Sequence, residues 1–149
     1  MPCDRLLAPQ ATYHANGATY RTDALGRPET AEAENLTASV ADRGGCQTEV
    51  GHMADAPRYD GGHMIAATLH GVDERYDLVP QWYSVNRGIY LRMESGAKSC
   101  LKEPGGAILH SRPGVGGYAL SLRSSCQLWE IATDLIFPVV RCGGAKDAF

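Results

Sequence analysis

The chain has 149 residues, a net charge of −3 at neutral pH, 44% hydrophobic and 21% charged residues. That composition is ordinary for a globular protein, and the length suits one domain, 1–149, large enough to bury a core. It argues against a broad basic face for gripping nucleic acid, and no apolar run approaches the ~20 residues of a membrane-spanning helix.

Taken in chain order, Met1-Pro2-Cys3-Asp4-Arg5 lacks the charged-then-apolar design of a secretory signal. Thr19 to Asp23 and Glu29 to Val40 read as extended segments around a Leu25-Gly26-Arg27-Pro28 turn, a hairpin with an exposed acidic second half. Arg43-Gly44-Gly45 breaks the pattern. Residues 51–62, rich in Gly, Pro, Asp and Arg, read as a loop. His63 to Leu69 is a short apolar run and reads as a buried strand or extended segment. His70 to Asp77 is a polar connection, and Leu78-Val79-Pro80-Gln81 a second extended piece whose proline favours an edge. Ser84 to Cys100 reads as a helix capped by Ser84, with Val85, Ile89, Met93 and Ala97 forming an apolar stripe. Asn86, Tyr90, Glu94 and Lys98 form the stripe beside it, and Gly96 weakens the helix toward an early end. Ala107 to His110, Tyr118 to Leu122 and Leu128 to Val140 alternate as strands do.

Charge is uneven along this order. Residues 84–102 hold Arg87, Arg92, Lys98 and Lys102 against Glu94 alone, whereas residues 23–34 hold Asp23, Glu29, Glu32 and Glu34 against Arg27. Five cysteines, Cys3, Cys46, Cys100, Cys126 and Cys142, form no Cys-x-x-Cys pair, which excludes a zinc ribbon. They fit either buried thiols or one or two disulfides with a thiol left over, Cys100, Cys126 and Cys142 falling in the segment where stapling would help.

The chemistry concentrates in one window. Gly61-Gly62-His63 is followed by Asn86-Arg87-Gly88 and then Glu94. A neutral imidazole accepts a proton from water near neutral pH. An amide oxygen ligates a hard cation, and a carboxylate orders the cation's waters. These are the parts needed to cut a phosphodiester with one divalent metal ion. On a regular α-helix the eight residues from Asn86 to Glu94 turn about 80° net and rise about 12 Å. That separation makes Asn86 the inner ligand and leaves Glu94 to hold water. His14, His52, His70 and His110 have no ligand spacing and read as surface or structural residues.

Asp60-Gly61-Gly62-His63, Asp77-Leu78-Val79-Pro80-Gln81 and Asn86-Arg87-Gly88 with Glu94 resemble the motifs of the DNA/RNA non-specific endonuclease family, of the ββα-metal superfamily. Tyr20 to Arg27 resembles a segment that precedes the nuclease core in toxin-type members. The resemblance covers roughly residues 18–102, with a motif core at about 59–100. It implies an α+β fold, a ββα-metal core with additional antiparallel strands. It implies His63 as general base, Asn86 and Glu94 at the metal, and Lys98 steadying charge on the phosphate. It further implies Mg²⁺ as cofactor with Mn²⁺ able to substitute, and DNA or RNA as substrate.

Two positions depart from the family pattern. Gly61 stands where many members have Arg, so one phosphate contact is missing or comes from elsewhere, with Arg87 and Arg43 as candidates. Asp77 stands where Asn is usual, a structural position at which a carboxylate could alter metal affinity. The sequence reading is therefore a largely sequence-independent nuclease, secreted or injected as a bacterial toxin or effector and met by a cognate immunity protein. The rivals are a catalytically silent nuclease fold that docks a protein, and a nutrient-scavenging nuclease with the same chemistry. The sequence does not choose DNA over RNA, the delivery route, the oligomeric state or the cysteine pairing.

Overall fold

A computed structural model describes residues 3, 6–33, 37–39, 44–54, 57–101, 108–114 and 117–123. The expected strand from Leu128 to Val140, and Arg43, Lys102, Cys126 and Cys142, lie outside the described residues.

Asn16-Gly17 is a strong hairpin signal, because both central residues of a tight type I′ turn need positive φ. Asn16 has φ 49° and Gly17 φ 77°. The turn joins β1 (Thr12–Ala15) to β2 (Ala18–Thr22), with Ala15 opposite Ala18. The reading that began its first strand at Thr19 missed this hairpin.

The next turn is built by Asp23. Its Oδ1 accepts N–H bonds from Leu25 at 2.8 Å and Arg27 at 2.9 Å. The chain then returns as β3 (Pro28–Ala33). Among the described residues β3 stops at Ala33, short of the expected Val40, and residues 37–39 are not strand. Its alternate residues Ala31 and Ala33 are buried rather than exposed. Across β3 comes β6 (Ile108–Gly114) and then β7 (Gly117–Arg123), the two late strands the alternation predicts. The result is a five-stranded antiparallel sheet in the order β1-β2-β3-β6-β7.

One face of that sheet contributes Ala18, Tyr20, Ala31 and Ala33 to the main core, against Met64, Ile65, Ala66, Leu69, Val79, Tyr90 and Ala97. Small alanines on the strands leave room for the larger residues that cross them.

The segment read as a loop, 51–62, holds the last two residues of helix α1 (Cys46–His52) and most of strand β4 (Tyr59–His63). The α1 N-terminus has no capping side chain of its own. Asp73 supplies the cap from a distance, accepting from the backbone N–H of Cys46 and Gln47 at 3.2 Å each. A carboxylate at this end also complements the helix dipole. A disulfide joins Cys3 to Cys46, beside a small buried cluster of Cys46, Val50 and Leu78.

The apolar run after His63 is buried but is not a strand. β4 ends at His63, the chain bends, and Ala67–Leu69 forms a 3-10 turn. The bend is held from inside by Asp77, whose carboxylate accepts from the N–H groups of Ile65 and Val72, each at 2.8 Å. Both oxygens are used, which one amide could not reproduce. Burial pushes the Asp77 carboxyl well above the usual range, and the bonds from Ile65 and Val72 oppose that shift.

β5 (Leu78–Trp82) pairs antiparallel with β4 as a separate two-stranded sheet, Tyr59 opposite Trp82 and His63 opposite Leu78. The helix that follows differs from the expectation at its start. Ser84 already has helical angles and makes no side-chain cap. Val85–Tyr90 is a π-helical turn, and the α-helix proper, α2, runs Leu91–Cys100 past Gly96 without stopping early. β4, β5 and α2 are the ββα unit, and the fold is α+β with additional antiparallel strands.

Candidate active site

The site is a cleft of about 560 Å³ whose lining comes from three directions. β4 supplies Tyr59, Asp60, Gly61 and His63; α1 supplies Gln47, Thr48, Gly51 and His52; the π-turn and α2 supply Asn86, Arg87, Leu91 and Glu94. The sequence separates these groups widely, and the β4–β5 ribbon gathers them.

α1 can approach β4 so closely because two glycines face each other. A Cβ on Gly61 would lie 2.0 Å from the Gln47 carbonyl oxygen. One on Gly51 would lie 2.9 Å from the Gly61 nitrogen. Backbone therefore rests on backbone, and no side chain fits. This accounts for the absence of an arginine at position 61: α1 occupies the space.

The opposite wall is held by charge. Asp60 accepts a forked pair from Arg87, Nε to Oδ2 and Nη2 to Oδ1, both at 2.8 Å. Asp60 Oδ2 also accepts from Asn86 Nδ2 at 3.1 Å. A carboxylate only accepts, so the Asn86 amide must turn its NH₂ toward Asp60, leaving Oδ1 as its donor to a cation. The Arg87 guanidinium bonded to Asp60 holds its carboxyl below the usual carboxylate range; partial burial opposes this and the Asn86 N–H adds to it. Asp60 was quoted in the motif but given no such role, because the π-turn that brings Asn86 and Arg87 over it is invisible to a regular 100° helical count.

His63 is buried to 7% exposure at the end of β4, at the cleft. Its carbonyl oxygen, and that of Met64 at 3.0 Å, accept from the Tyr90 hydroxyl. Tyr90 thus sits beneath the site, 2% exposed, although the helical count put it on one stripe with Asn86 and Glu94.

The remaining expectations fall as follows. His63, Asn86, Glu94 and Arg87 are brought together in the cleft. Lys98 is half-buried one turn further along α2 and does not line it. Asp77 does not line it either, so this carboxylate acts on the fold. His52, expected to be a bystander, does line the cleft, as do Gln47, Thr48 and Tyr59. The signal for all four was the packing of α1 on β4, which no local pattern announces.

Residues 9–111 match the DNA/RNA non-specific endonuclease family. The chain belongs to that family. The match is longer than the motif-based span, extending back toward β1 and forward into β6. A search of curated proteins returns no match. Membership makes the chain a nuclease whose substrate is nucleic acid, and the cleft holding His63, Asn86 and Glu94 is its candidate active site. Among the described residues no helix is long and apolar enough to cross a membrane.

Proposed function

We propose that the chain is a divalent-metal-dependent endonuclease of low sequence specificity, with His63 as general base. The observation that carries this reading is the convergence of His63, Asn86 and Glu94 on one cleft, with Asp60 turning the Asn86 amide.

The donor set fits a hard cation. Asn86 Oδ1 and the Glu94 carboxylate are oxygen donors, and among the described residues no three His, Cys, Asp or Glu side chains cluster as a zinc site would require. Few protein oxygens and room for water suit Mg²⁺, with Mn²⁺ as a substitute. When bound, the cation supplies positive charge to the phosphate and the departing oxygen. His63 takes the proton from a water whose oxygen bonds to phosphorus as the bond to the leaving sugar oxygen breaks. Arg87 lies at the cleft with its Nη1 outside the Asp60 fork, available to a phosphate. Lys98 adds positive charge one turn beyond Glu94 on α2.

We infer further that the enzyme acts as a secreted or injected bacterial toxin or effector, neutralised by an immunity protein that covers the cleft. The Tyr20 to Arg27 segment supports this by its resemblance, and the Cys3–Cys46 disulfide by the oxidising compartments in which such bonds persist. Plasmid nicking tests the central claim. EDTA should abolish cleavage and Mg²⁺ or Mn²⁺ should restore it; full activity in excess EDTA would rule it out.

A further inference from the structure

Beside the cleft lies a group of aromatic rings that the cleavage chemistry does not use. Trp82 and Tyr83 at the end of β5 are 42% and 38% exposed, among the few large apolar side chains left at the surface. Tyr59, which lines the cleft, meets the Trp82 ring edge-on at 5.5 Å between centroids and an interplanar angle of 85°. Trp82 and Tyr83 follow at 6.2 Å and 32°. The Arg87 guanidinium lies over Tyr83, 6.0 Å from the ring centroid, while its fork is held by Asp60. The rings therefore form a contiguous row, a shelf beside the cleft, joined to it at one end by Tyr59 and at the other by Arg87, a cation that Asp60 fixes in place.

Composition gives such a shelf a purpose. A net charge of −3 limits the electrostatic grip that drives most nucleic-acid binding. Stacking supplies affinity without positive charge and without reading sequence, because every base has a π-face. It works only on bases whose faces are free; in an intact duplex they cover one another.

We propose that Tyr59, Trp82, Tyr83 and Arg87 form a base-stacking shelf continuous with the cleft, which gives the enzyme a preference for single-stranded or locally melted nucleic acid over intact duplex. This rests on the nuclease reading above and adds the substrate form.

Two measurements separate the failure of one from the failure of the other. In the first, cleavage of a single-stranded oligonucleotide and of its duplex are compared in Mg²⁺. Trp82→Ala and Tyr83→Ala should each lower the single-strand-to-duplex ratio of kcat/KM about tenfold. Trp82→Phe should keep the ratio, and Tyr83→Leu, which keeps bulk but loses the ring, should behave as Tyr83→Ala. An unchanged ratio in Trp82→Ala and Tyr83→Leu would overturn the shelf while leaving the nuclease intact. In the second, Trp129→Phe leaves Trp82 as the one indole of the chain. Its fluorescence is titrated in EDTA with a thymidine oligonucleotide and with a hairpin duplex at equal nucleotide concentration. Saturable quenching by the single strand, at least fivefold weaker with the duplex, supports the shelf even if no cleavage is seen. Equal quenching by both, or none, refutes it.

Discussion

The two walls of the cleft are held by opposite means. The α1 wall is seated by the absence of side chains: Gly51 and Gly61 let helix and strand touch through their backbones. The π-turn wall is held by side chains and little else, with Asp60 gripping Arg87 and Asn86 at once. The first kind of contact tolerates no addition and carries no charge. The second tolerates substitution in shape but depends on ionisation and on donors in the right place. Position and chemistry are thus assigned to different walls, and perturbing each should give a different signature.

The largest effect should come from the floor that both walls share. His63→Ala should lower kcat by about 10²–10⁴, measured on a variant whose urea unfolding shows that it is folded. Wild-type rates in the purified variant would show that another group is the base.

On the α1 wall, Gly61→Ala places a methyl group 2.0 Å from a carbonyl oxygen of the helix backbone. That oxygen cannot rotate away as a side chain would, so α1 must shift. A stability loss at or above the ~1–3 kcal/mol of ordinary overpacking is expected, with activity falling alongside it. Unchanged urea unfolding would mean that the two backbones are not in contact, and the comparison between the walls would fail.

On the charged wall, Asp60→Asn should separate the two readouts in the opposite sense. Only the Arg87 half of the pair it breaks stands in water, its side chain 70% exposed against 20% for Asp60, so the unfolding midpoint should fall modestly. Asn86, however, must then compete with Arg87 for the single acceptor oxygen that remains, so the bond that turns its amide is weakened. By analogy with the outer partners of metal ligands, Mg²⁺ affinity and activity should drop about 10- to 100-fold. The Mg²⁺ concentration giving half-maximal rate measures this. A variant that unfolded while keeping its metal requirement would reverse the assignment of roles.

How much of this was legible beforehand follows the same division. The charged wall was written in the motif, because Asp60, His63, Asn86 and Glu94 carry their chemistry in their side chains. The seating was not. Gly61 could be seen to depart from the family pattern, but only α1 above it explains why. Asp73 was passed over inside a polar connection although it caps α1, and Asp77 was read as structural without the bend after His63 that it holds. Asp73 acts on backbone groups 26 and 27 residues away and Asp77 on one 12 residues away as well as on Val72 nearby, and no local spacing reports the distant bonds. The helix was recognised, but its π-helical first turns shifted the faces, so Tyr90, counted on one stripe with Asn86 and Glu94, lies in the core beneath them. In the sheet, alternation located β2, β6 and β7, while the missed β1 came from overlooking Asn16-Gly17.

The smallest and most discriminating prediction concerns pH. Asp60 has a carboxyl held below the ordinary range, first by its bond from Arg87. A depressed folded pKa means the stabilisation it provides is complete above the unfolded carboxylate value of about 3.9 and is lost only as pH falls through the lower folded value. The charged wall should therefore stay intact across the neutral and mildly acidic range. An imidazole base behaves differently: it works only when neutral, so activity is lost as pH falls and the ring takes up a proton. The acid side of the rate profile should then show a single-proton limb under saturating Mg²⁺. Asp60→Asn should lower the plateau and keep that one-proton slope, whereas the residual activity of His63→Ala should lose the limb. A limb that survived in His63→Ala would assign the proton to another group. A limb centred near pH 4 that vanished in Asp60→Asn would show that the charged wall, not the base, sets the acid limit.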